Sequence, residues 1–202
     1  MSDEEHLEAD QRVTPPGQRR VDELRVRHYG PVPRVPKPEA WTMSFWGASA
    51  VPGHRDDLTF AQLMEFPQTT VTADFHCAGG TTVLDNVWGG VLARDVIDAF
   101  PPADEVEHVM VYAQYGYCAT VRLGDLASPR AILATHHNGE PLAPEHGYPV
   151  RLVIPHLYSW KGPKWFRGWE YLDEPRRGFW EERGYHFTGD AWREERFSYQ
   201  EH

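Results

Sequence analysis

Glycine and proline set the terms for this chain, with 17 of each among 202 residues. Proline fixes φ and removes a backbone donor, and glycine gives up the most freedom on entering a helix. Loops are therefore long and shaped, and a helix bundle is disfavoured. The 8 Trp, 9 Tyr and 9 Phe add a heavy aromatic load. Together they favour a β-rich or mixed domain. The length fits one large domain or two small ones, and a hydrophobic content of 41% is enough for a real core.

Charge and cysteine content narrow the function classes. A formal net charge of -10 argues against a duplex-binding surface, which needs clustered Lys and Arg. Nucleic acid is not an expected partner. Two cysteines cannot build a disulfide framework: they allow one bridge at most, or two free thiols in a reducing compartment. The opening "MSDEEHLEADQRVTPPGQRR" is acidic and polar, without the apolar core of an export signal or membrane span. The expectation is a cytoplasmic protein with no membrane segment of its own and a flexible acidic tail over residues 1–22. Residues 23–202 are expected to form one domain.

Along the chain, "VRHYGPVPRVPKPEAW" carries four prolines and should run extended. "HRDDLTFAQLMEF" should end in a short helix capped by Thr59, with Leu58, Leu63 and Phe66 as apolar contacts. "TVTADFHC" alternates, with Val71, Ala73, Phe75 and Cys77 on one face and Thr72, Asp74 and His76 on the other. "AGGTT" reads as a loop and "GVLARDVIDAF" as a helix with Leu92, Val96 and Ala99 on one stripe. "HVMVYA", "YCATVRL", "AILATHH", "VRLVIP" and "GWEYL" read as strands, "VRLVIP" as a central one. The C-terminal aromatic and charged stretch should wrap the body. The sum is an α+β domain with a mixed sheet.

The chemistry centres on Cys77, at the mouth of the loop "CAGGTT". Its plainest reading is a small buried hydrophobe at a strand end. A zinc site lacks CxxC, HExxH or any repeated spacing, and adjacent strand residues such as His76 and Cys77 point to opposite faces. A thiol nucleophile would need a base, with the amides of Ala78, Gly79 and Gly80 as an oxyanion hole. A third reading makes Cys77 a soft thiolate ligand to a metal held mainly by a cofactor. The glycines would let backbone pass close to that cofactor. Between 151 and 170 the cations Arg151, Lys161, Lys164 and Arg167 face a single acid, which suits an anionic group such as a phosphate. Tyr158, Trp160, Trp165 and Trp169 are woven through that run, unlike a plain solvated face.

These residues carry a resemblance. "DFHC", "LDNVWGGV", "NGEPLAPEHGYPVRLVIPHLYSWKGPKWFRGWEYL" and "GFWEERGYHFTGDAWREERFS" resemble the sulfite-oxidase-like molybdopterin oxidoreductases over about residues 24–200. The small soluble haem-free members, related to the catalytic subunit of the bacterial methionine-sulfoxide reductase system, are the most similar. The resemblance implies the mixed-sheet sulfite-oxidase molybdopterin-binding fold as a single domain. It implies molybdenum and molybdopterin as cofactors and Cys77 as the metal ligand beside the dithiolene sulfurs. It assigns His146 to the pterin, Arg151 to the cofactor, and Ser159, Trp160 and Lys161 to its phosphate end, with Lys164 of the cationic run as a further cofactor-binding residue. His28 and Tyr29 of "RHYGP" match a stretch along the pterin. His76 or Tyr117 would tune polarity around the metal, Tyr117 as a second catalytic residue. Asn86 and Trp88 would cap and pack the helix after the loop, and Cys118 would be a buried structural thiol.

The implied reaction is two-electron oxygen-atom transfer on a small S-oxide, N-oxide or sulfite-like substrate. Without a C-x-x-C-H haem motif, electrons must move through a separate partner. The loop departs from its kin: Thr81 and Thr82 stand where soluble members place Trp-Ser, and "CAGGTT" carries no cation. A neutral oxide is therefore expected ahead of sulfite, unless a distant arginine such as Arg94 supplies the charge. The alternative is a catalytically silent protein of the same fold that holds the cofactor or a partner.

Overall fold

A computed structural model describes residues 13–34, 37–51, 53 and 55–201 of the chain. The first twelve residues of the expected tail, and positions 35 and 36 of the proline-rich segment, lie outside the described residues.

Eleven strands form two mixed sheets in the described chain. The first holds β1 (Arg19–Arg20), β4 (Gln68–Cys77), β5 (Thr81–Leu92), β8 (Ile132–His137), β9 (Glu140–Pro141) and β10 (Arg151–Val153). The second holds β2 (Thr42–Gly47), β3 (Asp56–Thr59), β6 (His108–Ala113), β7 (Cys118–Arg122) and β11 (Phe166–Leu172), in the order β3-β2-β11-β6-β7. β11 is the centre of this sheet, parallel to β2 and antiparallel to β6. Backbones approach closely there: a Cβ on Gly168, at φ +128°, would lie 1.9 Å from the Ser44 carbonyl oxygen. Helices are short: α1 (Phe60–Leu63), α2 (Ala93–Ala99) and α3 (Leu123–Leu126). Thr59 caps α1 through a full capping box with Gln62.

The main core lies between the sheets. Val91, Leu133 and Leu152 of the first sheet meet Met43, Phe45, Val109, Val111 and Trp169 of the second. Intervening residues build a smaller cluster on the first sheet's other face: Val71, Ala73, Trp88, Leu92, Ile132, Ala134, Leu142 and Val153, with Phe75 packed on it. The period of two thus loads both faces of β8 and β10 with apolar side chains.

Several readings need correction. Only Ala78–Gly80 of the expected loop form a turn; Thr81 and Thr82 and the start of the expected helix belong to one twelve-residue strand, β5, with Asn86 and Trp88 inside it. Val91 and Leu92 pair with Leu133 and Ile132, so α2 begins only at Ala93. Ala99 is exposed, and the buried helix residues are Ala93, Val96 and Ile97. β10 is buried but ends the sheet path, pairing only with β8. His76, expected on the polar face of β4, is buried because Thr82 and Trp192 cover it. Within the span expected as tail, Arg19 and Arg20 pair with Thr81 and Thr82 as β1.

Candidate active site

β4 delivers Cys77 to its end, and the chain turns back at once. The Gly80 amide donates to the Cys77 carbonyl at 3.0 Å, with Gly80 at φ +81°, a conformation that favours glycine. The Gly79 amide points at the Cys77 Sγ, 3.4 Å away. That N–H favours a sulfur carrying negative charge. Cys77 is a free, half-buried thiol. A Cβ at Gly79 would lie 3.6 Å from that Sγ and 3.6 Å from the Arg27 Cζ, so thiol and guanidinium flank the same glycine. Arg94 lies on α2 and pairs with Asp95. The loop "CAGGTT" carries no cation of its own, but Arg27, which inspection of the loop alone misses, brings a guanidinium beside it.

His76 points to the opposite side of β4. Its Nδ1 meets the Thr82 Oγ1 at 2.9 Å, and Trp192 packs edge-on at 5.8 Å. Burial pulls its pKa below the usual value, with Asp74 and Asp190 opposing. Among the described residues no three His, Cys, Asp or Glu side chains converge as a metal cluster.

Cys77 and Phe75, two apart on β4, share a face. Arg151 reaches across from β10 to this face, with Cζ 4.9 Å from the Phe75 ring and 5.1 Å from the Trp88 ring. Arg151 is 2% exposed. Its Nη1 donates to the His146 carbonyl at 3.2 Å, and its Nε has no partner in the protein. Burial lowers its pKa to about 10, and no carboxylate opposes that effect. Around it stand Lys164, lowered to about 8 by burial and then Arg151, and His146, lowered by burial, Lys164 and Arg151. Glu145 opposes both shifts. His137 is lowered to about 4 by burial, then Arg151 and His146. A bulge in β8 opposite Gly89 and Gly90 brings the His137 ring onto Trp88, 4.4 Å away, and its Nε2 meets the Asn86 Oδ1 at 2.9 Å. Groups that depress one another's charge in this way favour an anion in their midst.

The "RHYG" segment runs along this region. The His28 ring packs edge-on against Trp165 at 5.5 Å, and its Nδ1 contacts the Gly30 carbonyl. Tyr29 packs on Phe179 at 4.6 Å. Trp165, itself at φ +53°, donates to the Pro144 carbonyl, and Lys164 donates to the Glu145 carbonyl at 2.6 Å. The expected residues His28, His146, Arg151 and Lys164 are therefore neighbours. Ser159 lies by a small cavity shared with Phe75 and His76. Trp160 keeps a buried indole N–H without an acceptor, as does Trp88.

Two assigned roles do not fit. Lys161 is wholly buried, and its ammonium donates to Glu181 Oε1 at 2.7 Å, to the Thr120 carbonyl at 2.6 Å and to the Phe187 carbonyl. An ammonium has three donors, and all three are engaged. Lys161 therefore cannot also hold a phosphate. Tyr117 packs on Phe179 and donates its hydroxyl to the Trp160 carbonyl at 2.5 Å. Burial, then Glu181, pushes its pKa well above the usual range. This geometry ties the hydroxyl to the 159–161 turn, a positioning contact rather than one to a reacting group.

The sequence profile of a family described as "Oxidoreductase molybdopterin binding domain" matches residues 29–180. The uncharacterized oxidoreductase YuiH of Bacillus subtilis (strain 168) is 39% identical over 185 residues, covering 92% of each chain. An inducible NADH nitrate reductase of Glycine max is 30% identical over 70% of this chain but only 19% of its own length. Sulfite oxidase of Arabidopsis thaliana is 26% identical over 82% of this chain and 50% of its own length. Among solved structures, the sulfane dehydrogenase SoxCD of Paracoccus pantotrophus shares the fold, with a TM-score of 0.66, 21% identity, and coverage of 73% of this chain and 42% of that one. The mixed-sheet fold, the lone soft donor and the buried, anion-seeking Arg151 agree with that assignment. The chain belongs to the oxidoreductase molybdopterin-binding domain family and takes molybdenum–molybdopterin as its cofactor.

Proposed function

We propose that this oxidoreductase carries out two-electron oxygen-atom transfer on a small sulfur- or nitrogen-centred oxo compound, with an anionic substrate preferred. When bound, molybdenum–molybdopterin supplies the redox chemistry itself. Cys77 would ligate the metal. Arg151 and Lys164 would hold the anionic end of the cofactor, with His146, His28 and Tyr29 along it and Ser159 and Trp160 at the turn beside it. The observation that carries the substrate preference is Arg27, whose guanidinium flanks Gly79 together with the Cys77 Sγ. A cation at that place adds charge-assisted hydrogen bonds to an oxyanion, each worth about 1.5–3 kcal/mol. The relatives named sulfite oxidase and nitrate reductase support the same class, since their names specify oxyanions. Preference thus moves from the neutral oxide toward the oxyanion.

Electrons pass through a separate partner. The free thiols Cys77 and Cys118 suit a reducing, cytoplasmic setting, and among the described residues no helix is long and apolar enough to cross a membrane. The test is metal and pterin content, then dye-linked turnover, of protein made in a host that synthesises the cofactor. About one molybdenum per chain is expected. Cys77→Ser should reduce turnover to background while part of the pterin stays bound, and Cys118→Ser should remain active. Arg27→Met should lower kcat/KM for an oxyanion by about 10- to 100-fold and spare a neutral S-oxide. Stoichiometric zinc without pterin, or full turnover in Cys77→Ser, would sink the assignment. A loaded protein inert toward every oxo compound would favour the silent alternative.

A further inference from the structure

The family match begins at residue 29, yet the Cys77 loop is held by residues ahead of it. The Arg19 amide donates to the Gly80 carbonyl at 3.0 Å, and the Val21 amide to the Thr82 carbonyl at 2.9 Å. Between these contacts and the loop lies the side chain of Gln18. Its Nε2 donates to the Cys77 carbonyl at 3.2 Å, and its Oε1 accepts from the Thr82 hydroxyl at 3.2 Å. Thr82 Oγ1 also meets His76 Nδ1 at 2.9 Å. The strap is backed from the other side. A Cβ on Gly17, at φ +67°, would lie 2.8 Å from Glu194 Oε1 and 3.2 Å from Arg196 Nη2. Those two residues also lie beyond the family match.

The polarity of this chain of bonds follows from one atom. A backbone carbonyl only accepts, so the Gln18 amide nitrogen must face Cys77. Its oxygen then faces Thr82, whose single hydroxyl proton is spent on it. Thr82 can only accept from His76, which must carry its proton on Nδ1. One glutamine therefore fixes the Cys77 carbonyl and, through Thr82, the His76 tautomer.

We propose that Gln18 is a positioning residue for Cys77, by which a strand ahead of the family match sets the placement of the thiolate. The proposal rests on the reading of Cys77 as the metal ligand. The loop without Gln18 keeps its two backbone contacts to the strap but loses the one that reaches Cys77 itself. Gln18→Glu retains an acceptor for Thr82 and removes the donor to the Cys77 carbonyl, so it should behave like Gln18→Ala. Arg19→Ala changes an exposed side chain and keeps the backbone contacts.

The test has two arms. In cofactor-free protein carrying Cys118→Ser, alkylation of Cys77 by iodoacetamide should speed up roughly 2- to 10-fold in Gln18→Ala and Gln18→Glu, as expected for one lost hydrogen bond. Arg19→Ala should react like its parent. In loaded protein, the electron paramagnetic resonance signal of the partly reduced metal should shift in the Gln18 variants and stay put in Arg19→Ala. An unchanged alkylation rate in Gln18→Ala overturns the proposal. So does equal acceleration in Arg19→Ala, which would make the strap a mere cover. The alkylation arm needs no metal, so its failure leaves the Cys77 ligand reading standing. Wild-type turnover in Cys77→Ser would overturn that reading instead.

Discussion

Arg151 and Lys161 are both cations withdrawn from water, ten residues apart, in opposite surroundings. Lys161 has its own carboxylate, Glu181, and two backbone carbonyls to receive its protons. Arg151 has aromatic faces, one carbonyl and further cations. Burying a charge is costly unless it is paired. Lys161 meets that requirement within the fold and ties the C-terminal segment to β7 and the 159–161 turn. Arg151 does not: its Nε has no partner in the protein and no carboxylate opposes the effect of burial, which supports the proposal that an anion binds there. The comparison separates a cation that builds the protein from one that the fold leaves without a counter-charge, the one proposed to serve the cofactor.

The largest effect should come from breaking the self-contained pair. Lys161→Met leaves Glu181 buried and unpaired, a loss of about 3–5 kcal/mol. For a domain of this size that corresponds to roughly 6–20 °C in Tm. Adding Glu181→Gln should restore much of it, because the charge is gone and an acceptor for the Thr120 amide remains. Pterin content per folded molecule should be unchanged in both variants. A fall in pterin content with intact stability would put Lys161 back at the phosphate.

Arg151→Met should act the other way round. Cofactor affinity falls by about 10- to 100-fold, the equivalent of one lost charge-assisted contact. The cofactor-free protein should keep its stability or gain some, since an uncompensated buried charge has been removed. Chemical unfolding of both forms reads this directly. A cofactor-free loss as large as that of Lys161→Met would erase the distinction.

A smaller effect should appear with pH at Lys164. Its pKa in the folded, cofactor-free protein is about 8, below the ordinary 10.5. Between those values the unfolded chain binds more protons, so cofactor-free stability rises with pH across that window. The folded penalty is present in full below about 8. The charge offered to an anion runs oppositely and fades as pH climbs through about 8, while Arg151 stays protonated until about 10. Cofactor loading measured from pH 7 to 9 should decline in the wild type and flatten in Lys164→Met. Smallest of all, Lys37→Ala, at an exposed position, should move neither loading nor unfolding.

What the sequence revealed follows the same division. Alternation located β4, β6, β7, β8 and β11, because each packs on fixed neighbours at a period of two. It failed at β5, where Gly89, Gly90 and the bulge around Asp85 break the pattern and pairing with β1, β4 and β8 holds the strand. Cys77, Arg151 and Lys164 were legible from their local runs. Lys161 was not separable from Lys164, since the carboxylate that engages it lies twenty residues downstream. Arg27 and Gln18 were invisible because each approaches the Cys77 loop across the fold, Arg27 beside Gly79 and Gln18 at the Cys77 carbonyl from 59 residues away.

The central place of β11 has a consequence for how the protein is made. Its partners β2 and β6 are synthesised first and can only wait, each with an open edge, until residues 166–172 leave the ribosome. The Trp41 indole likewise waits for the Phe166 carbonyl, 125 residues later. Contacts that distant are slow to form, and unsatisfied edges invite aggregation. Arg151 and Lys164 emerge in the same late stretch. These two cations therefore settle into place as the second sheet closes, a late step for any chain whose central strand follows its neighbours.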